Sequence, residues 1–147
     1  MKIEFGYGNS VQMVEIPDRN LMAVLESNPF QHERRGRQAV EYALDNPIGA
    51  PLLENLVWKG QKIVIVTSDI TRPVPSKIII PRLLDELGKA GVKDEDVTIV
   101  FGLGSHRKQT EEEQKSLVGE EVYSRVKCVD SDPEDCVHLG TCKNGTP

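Results

Sequence analysis

The chain has 147 residues, a formal net charge of −5, 38% hydrophobic and 28% charged residues. A single chain of this length hides roughly two-thirds of its unfolded surface, so it needs no disulfide or metal staple, and it reads as one domain over residues 1–147. Aromatic residues are only 5%, which argues against a base-stacking platform. The acidic balance argues against a partner made of nucleic acid. No membrane partner is expected either: Met1 to Phe5 carries Lys2 and Glu4 and no apolar run of signal or membrane length. The expected location is the cytoplasm.

Lys2 to Phe5 alternates in polarity, as does Val11 to Ile16, and Gly6, Gly8, Asn9 and Ser10 lie between them. This pattern predicts an N-terminal β-hairpin closed by Pro17-Asp18. Leu21, Val24 and Leu25 share one helical face over 20–26. The polar stretch 27–37 reads as a loop or linker. Ala39, Val40, Ala43 and Leu44 predict a helix over 36–44, stopped by Asn46-Pro47-Ile48-Gly49, and Leu52, Leu53, Leu56 and Val57 predict another short helix.

From Lys62 the pattern changes. Lys62 to Thr67 is a β-branched run of the kind found in strands buried on both faces. Pro73 and Pro75 stiffen the loop after it and hold Arg72 and Val74 out of helical conformation. Ser76 is a candidate cap for a helix reaching Ala90, with Gly91 as its stop. Val97 to Phe101 is a second strand. Thr110 and Glu113 form a capping box for a helix to Val118, ended by Gly119, and Val122 to Val129 predicts a third strand. The order strand, helix, strand, helix, strand predicts an α/β fold, a three-layer Rossmann-like parallel sheet with helices packed on it. Ligands of such sheets bind at the carboxyl ends of the strands.

Two strand-end loops therefore carry the functional reading. The loop 68–76 places Asp69, Ile70, Thr71 and Arg72 together. A guanidinium on a stiff loop suits two-point recognition of a carboxylate or phosphate. Asp69 could hold Arg72 in an ion pair that only shapes the loop, or it could orient an imidazole. The second loop, Gly102-Leu103-Gly104-Ser105-His106-Arg107, offers His106 as a general acid or base. A dinucleotide fingerprint would need a third glycine where Arg107 stands, which weakens a nicotinamide-dependent reading. His32 and His138 have no comparable setting. Cys128, Cys136 and Cys142 read as reduced thiols without the two-residue spacing of a zinc or redox pair.

Asp69-Ile70-Thr71-Arg72-Pro73-Val74-Pro75-Ser76, Gly102 to Arg107, and Leu139-Gly140-Thr141 with Gly145-Thr146-Pro147 resemble the amino-terminal domain of the nickel-dependent lactate racemases. Asn46 to Gly49 and Thr110 to Glu113 fit as well, so the resemblance spans the whole chain. It implies part of a two-domain enzyme that racemises or epimerises a small 2-hydroxy acid. Its cofactor would be a tethered nickel-pincer nucleotide, which takes a hydride from the carbinol carbon and returns it to either face. The resemblance implies that His106 takes the hydroxyl proton, that Asp69, Ile70, Thr71 and Arg72 line the cofactor, and that Arg72 also favours the substrate anion. The second catalytic histidine, the tether lysine and the nickel ligand of the family come later than Pro147. No residue here is therefore assigned to metal, no tightly bound cofactor is expected on this chain alone, and the remainder of a parent chain is an expected partner. Without that remainder the chain is expected to be inert. Members often carry histidine where this chain has Ser131 and threonine where it has Cys142. The alternative is a non-catalytic α/β module that binds a nucleotide or organic anion.

Overall fold

A computed structural model describes every residue except Phe30, Pro73 and Pro147. The expectation that Pro73 stiffens its loop, and the last residue of the Gly145-Thr146-Pro147 motif, lie outside the described residues. The chain forms two compact units, 1–33 and 34–147.

In the first unit, strands β1 (Lys2–Tyr7) and β2 (Ser10–Glu15) pair antiparallel, with Tyr7 opposite Ser10. Only Gly8 and Asn9 connect them. Gly8 has a φ of 56° and among the described residues no non-glycine has a positive φ, Asn9 included, which is the type II′ pattern that matches strand twist. The N-terminal ammonium donates to Ile16 O and to Asp18 Oδ1, each at 2.8 Å. The helix expected over 20–26 is absent: a single 3₁₀ turn spans Asp18–Asn20, and residues 21–26 have no regular structure. Three apolar side chains on one face were too few to drive it without a surface to bury them.

The second unit is an α/β layer. Strands β3 (Ile63–Ser68), β4 (Val97–Gly102) and β5 (Lys127–Asp130) form a parallel sheet in that order. Helices α1 (Arg37–Asp45), α2 (Ser76–Lys89), α3 (Glu111–Val118) and α4 (Glu120–Arg125) accompany it. Val97, Ile99 and Phe101 of β4 point one way into a core with Ile80, Leu84 and Leu87 of α2, Val118 of α3 and Val122 of α4. Ile80, Leu84 and Leu87 are the four- and three-residue steps of one helical face, so α2 lies along the sheet and brings its first turn to the end of β3.

The α/β architecture, the parallel sheet and the hairpin are as the sequence predicts, with four local differences in this unit. First, the run 62–67 is not buried on both faces. Val64 and Val66 are 62% and 71% exposed, so the described residues supply no layer over that face of β3. β-Branched residues favour a pleated backbone whether or not both faces are covered. Second, residues 122–125 are helical. Gly119, with a φ of 87°, lets α4 restart at once, and the third strand is only Lys127–Asp130. Third, Ser76 is the first helical residue of α2 and does not cap it; its hydroxyl shares a 2.7 Å hydrogen bond with that of Thr67. Fourth, the short helix expected near 52–57 is a 3₁₀ turn, Leu53–Asn55. Among the described residues no helix is long and apolar enough to cross a membrane.

Candidate functional site

Because β3 and β4 are parallel neighbours, with Ser68 beside Gly102, their carboxyl ends open side by side. The loop after β3 begins with a turn that Asp69 builds for itself. Its Oδ1 accepts from the Thr71 amide at 3.1 Å and from the Thr71 hydroxyl at 2.7 Å, and its carbonyl accepts from Arg72 N at 3.2 Å. A short carboxylate bonding two residues ahead is the Asx-turn geometry. The other oxygen, Oδ2, meets His106 Nδ1 at 2.5 Å. Asp69 is 3% exposed, yet its carboxyl is held below the usual carboxylate range, foremost by the Thr71 hydroxyl, with burial opposing and the His106 ring and Thr71 amide helping.

The loop after β4 turns back through Gly104, whose φ is 59°, and His106 N donates to Leu103 O at 3.1 Å. A side chain at position 104 would be strained in that left-handed conformation. The turn lays the His106 ring against Asp69 while leaving the side chain 48% exposed. An ionised carboxylate can only accept, so Nδ1 carries the proton and Nε2 presents its lone pair to the open side. A carboxylate behind an imidazole in this way fixes the tautomer and favours the charged ring once Nε2 is protonated.

The Asp69–Arg72 ion pair does not form. Both oxygens of Asp69 are taken by Thr71 and His106, and among the described residues nothing partners the Arg72 guanidinium. Arg72, Asp69 and His106 line one open cleft of about 520 Å³ with Thr67, Ser68, Val74, Gly102 and Gly104. That volume is in the range of small-ligand sites. Ile70 and Thr71 belong to the same turn; Ile70 is 38% exposed and its amide is bound by Gln109 Oε1 at 2.8 Å. Arg107, one residue from His106, faces away. It grips Glu113 with Nη1 and Nη2 at 2.9 and 2.7 Å, beside the expected capping box of Thr110 and Glu113.

The chemistry of this cleft suits an anionic, hydrogen-bonding organic group: an unpartnered guanidinium, an imidazole and strand-end backbone. It does not make a metal site by itself, because no three histidine, cysteine or acidic side chains converge among the described residues. The donor set therefore fits the anionic and hydrogen-bonding portions of an organic ligand.

Reasoning from sequence missed four side chains behind the cleft. Asp130, at the end of β5, accepts from Gln109 N at 2.7 Å, from Gln109 Nε2 at 3.1 Å and from Gln114 Nε2 at 2.9 Å. Ser131 Oγ accepts from Leu103 N at 2.9 Å. The one available signal was a polar pair, Asp130-Ser131, ending an apolar strand.

Comparison with known proteins reads on these same loops. A sequence model described as the lactate racemase N-terminal domain matches residues 7–147. The chain belongs to that family. It is 36% identical, over 97% of its length, to a lactate racemase of Thermoanaerobacterium thermosaccharolyticum, and 34% identical, again over 97%, to a lactate racemase of Lactiplantibacillus plantarum. Its fold matches the solved structure of the T. thermosaccharolyticum lactate racemase apoprotein with a TM-score of 0.77 at 34% identity, over 99% of this chain. The chain spans only 34% and 35% of the length of the two curated relatives. In this chain the loops after β3 and β4 stand together at one strand-end cleft.

Proposed function

We propose that this chain is the N-terminal part of a nickel-pincer-nucleotide-dependent 2-hydroxyacid racemase or epimerase of the lactate type, and that it contributes the proton carrier and the anion clamp. The observation that carries the proposal is the Asp69–His106 pair, 2.5 Å apart, in a cleft that also holds an unpartnered guanidinium. His106 Nε2 takes the proton of the substrate hydroxyl as the carbinol carbon is oxidised, and gives it back when the keto acid is reduced. Asp69 keeps the ring in the tautomer that leaves Nε2 free and stabilises the imidazolium formed in between. Arg72 pairs two N–H groups with the substrate carboxylate, fixing which way the hydroxyl faces the ring.

Asp69, Ile70, Thr71 and Arg72 would hold the cofactor at this edge. When bound, it supplies the acceptor for the hydride that leaves the carbinol carbon. No residue of this chain is assigned to nickel. The turn that Asp69 makes with Thr71 fixes the backbone of this edge, so the imidazole is set and Arg72 springs from a fixed point of the loop before any ligand arrives.

The test is His106→Ala in the full-length, cofactor-loaded enzyme. Turnover of the 2-hydroxy acid is expected to fall roughly a hundredfold or more, the usual worth of a positioned proton carrier. Near-normal turnover would reduce the cleft to a binding module for an organic anion.

A further inference from the structure

In front of the dyad, Thr71 holds Asp69 and Asp69 holds His106. Behind it, Gln109 links the loop after β3 to the end of β5. Gln109 stands three residues after His106, where the loop from β4 enters α3. Its amide nitrogen and its backbone N–H both donate to the Asp130 carboxylate, at 3.1 and 2.7 Å. Its amide oxygen faces the other way and accepts from Ile70 N at 2.8 Å, the peptide next to Asp69. One glutamine thus uses both ends of its amide to bind the end of β5 and the loop after β3.

Asp130 is the fixed point of this arrangement. Gln114 of α3, 9% exposed, donates to the same oxygen as Gln109, at 2.9 Å. The next residue, Ser131, accepts from Leu103 N at 2.9 Å. The end of β5 therefore grips the His106 loop at both of its ends, at Leu103 and at Gln109. Gln109 alone carries that grip across to the Asp69 loop. An amide suits this place because it donates at one end and accepts at the other, and Asp130 needs a donor while Ile70 N needs an acceptor.

We infer that Gln109 is a positioning residue, which sets the Asp69 loop in register with the His106 loop and thereby keeps the His106 imidazole on Asp69 with Nε2 free. The relevance of this to turnover rests on the reading of His106 as the proton carrier; the positioning itself does not. Without the strut, the side-chain hydrogen bonds left between the two loops among the described residues are the Asp69–His106 contact and the 3.4 Å approach of Thr71 Oγ1 to His106 Nδ1. The ring is then free to leave the carboxylate and relax toward the Nε2–H tautomer that an unrestrained neutral imidazole prefers.

The test is nitrogen NMR of the 147-residue chain labelled in its histidine rings, read above the ring titration. In the native chain His106 is expected as the Nδ1–H tautomer. Gln109→Met, which keeps the side-chain length but cannot donate or accept as an amide does, is expected to shift His106 to a mixture with Nε2–H, while the core methyl signals of Ile99 and Val118 stay in place. Asp69→Ala, which removes every hydrogen-bonding atom from that side chain, marks the fully released end of that scale. A His106 ring that remains in the native tautomer in folded Gln109→Met overturns the inference. If Gln109→Met does not fold, Asp130→Asn, which removes the carboxylate anchor at constant volume, must give the same shift, and an unchanged ring there overturns it equally. In the full-length enzyme Gln109→Met should lower kcat roughly ten- to a hundredfold with little change in KM, because Gln109 does not line the cleft. A tautomer that shifts as expected without any loss of turnover would leave the positioning in place and sink the proton-carrier reading instead.

Discussion

Two arginines in the two strand-end loops show how differently one residue type can be used. Arg107 is satisfied: its guanidinium is bidentate to Glu113, it also donates to Lys108 O at 2.9 Å, and the glutamate it holds closes the capping box of α3. Arg72 has no such partner among the described residues, although a buried carboxylate lies three positions away in the same turn. Asp69 is already committed to Thr71 and His106. The comparison teaches that charge and loop position do not separate a structural arginine from a ligand-facing one. What separates them is whether the fold itself has completed their hydrogen bonds.

The strongest way to break this comparison is to keep both charges and remove both forks. In the full-length enzyme Arg72→Lys should lose about tenfold or more in kcat/KM, since a point charge gives up one charge-assisted hydrogen bond to a planar anion. Arg107→Lys should leave kcat/KM unchanged. Steady-state kinetics on the two variants side by side decides it; equal losses would show that Arg72 is as structural as Arg107.

A smaller effect belongs to the Arg107 side alone. Thr110→Ala removes the hydroxyl that accepts from Glu113 N at 3.2 Å, and should cost about 1 kcal/mol in denaturant unfolding, the typical worth of a helix N-cap. His106 in that variant should keep its native tautomer, because Thr110 makes no contact in the cleft.

The smallest effect is a dependence on acid. The side chain of Arg107 foremost, then the Thr110 amide, holds the Glu113 carboxyl at about 2, below its ordinary 4.5. A carboxylate depressed in the folded state adds stability that is fully present above its unfolded pKa and is lost as pH falls through the folded one. The native chain should therefore outlast Glu113→Gln in thermal unfolding at pH 6. The gap between the two should close from about pH 4.5 downward and be largely closed by about pH 2. A gap at pH 2 as large as that at pH 6 would mean that Glu113 acts through packing and not through its charge.

The parts of the fold legible in the sequence are those decided locally. The hairpin follows from alternation around Gly8-Asn9, and α3 follows from a threonine and a glutamate three residues apart. The exposure of Val64 and Val66 was not legible, because residue type favours a strand without saying what will cover it. Helix α4 was hidden because Val122, Val126 and Val129 suit a short strand as well as a helix end. The same division holds in the cleft. Asp69, Arg72 and His106 were legible from their place after two apolar strands. Which partner Asp69 would choose was not, since Arg72 and His106 were equally plausible on chemistry alone. The Gln109 strut joins residues 39 positions apart on one side and 21 on the other, and no spacing rule marks such a link.

The central claim, that His106 moves the hydroxyl proton while the hydrogen on the carbon travels as hydride, is tested most directly by following racemisation in heavy water. The full-length, cofactor-loaded enzyme is given one enantiomer of its 2-hydroxy acid, and the inverted product is examined by mass spectrometry and proton NMR. The account predicts little deuterium on the carbinol carbon, because the proton that exchanges through His106 belongs to oxygen. Extensive solvent deuterium at that carbon in the inverted product would contradict it, and would show the imidazole taking its proton from carbon instead.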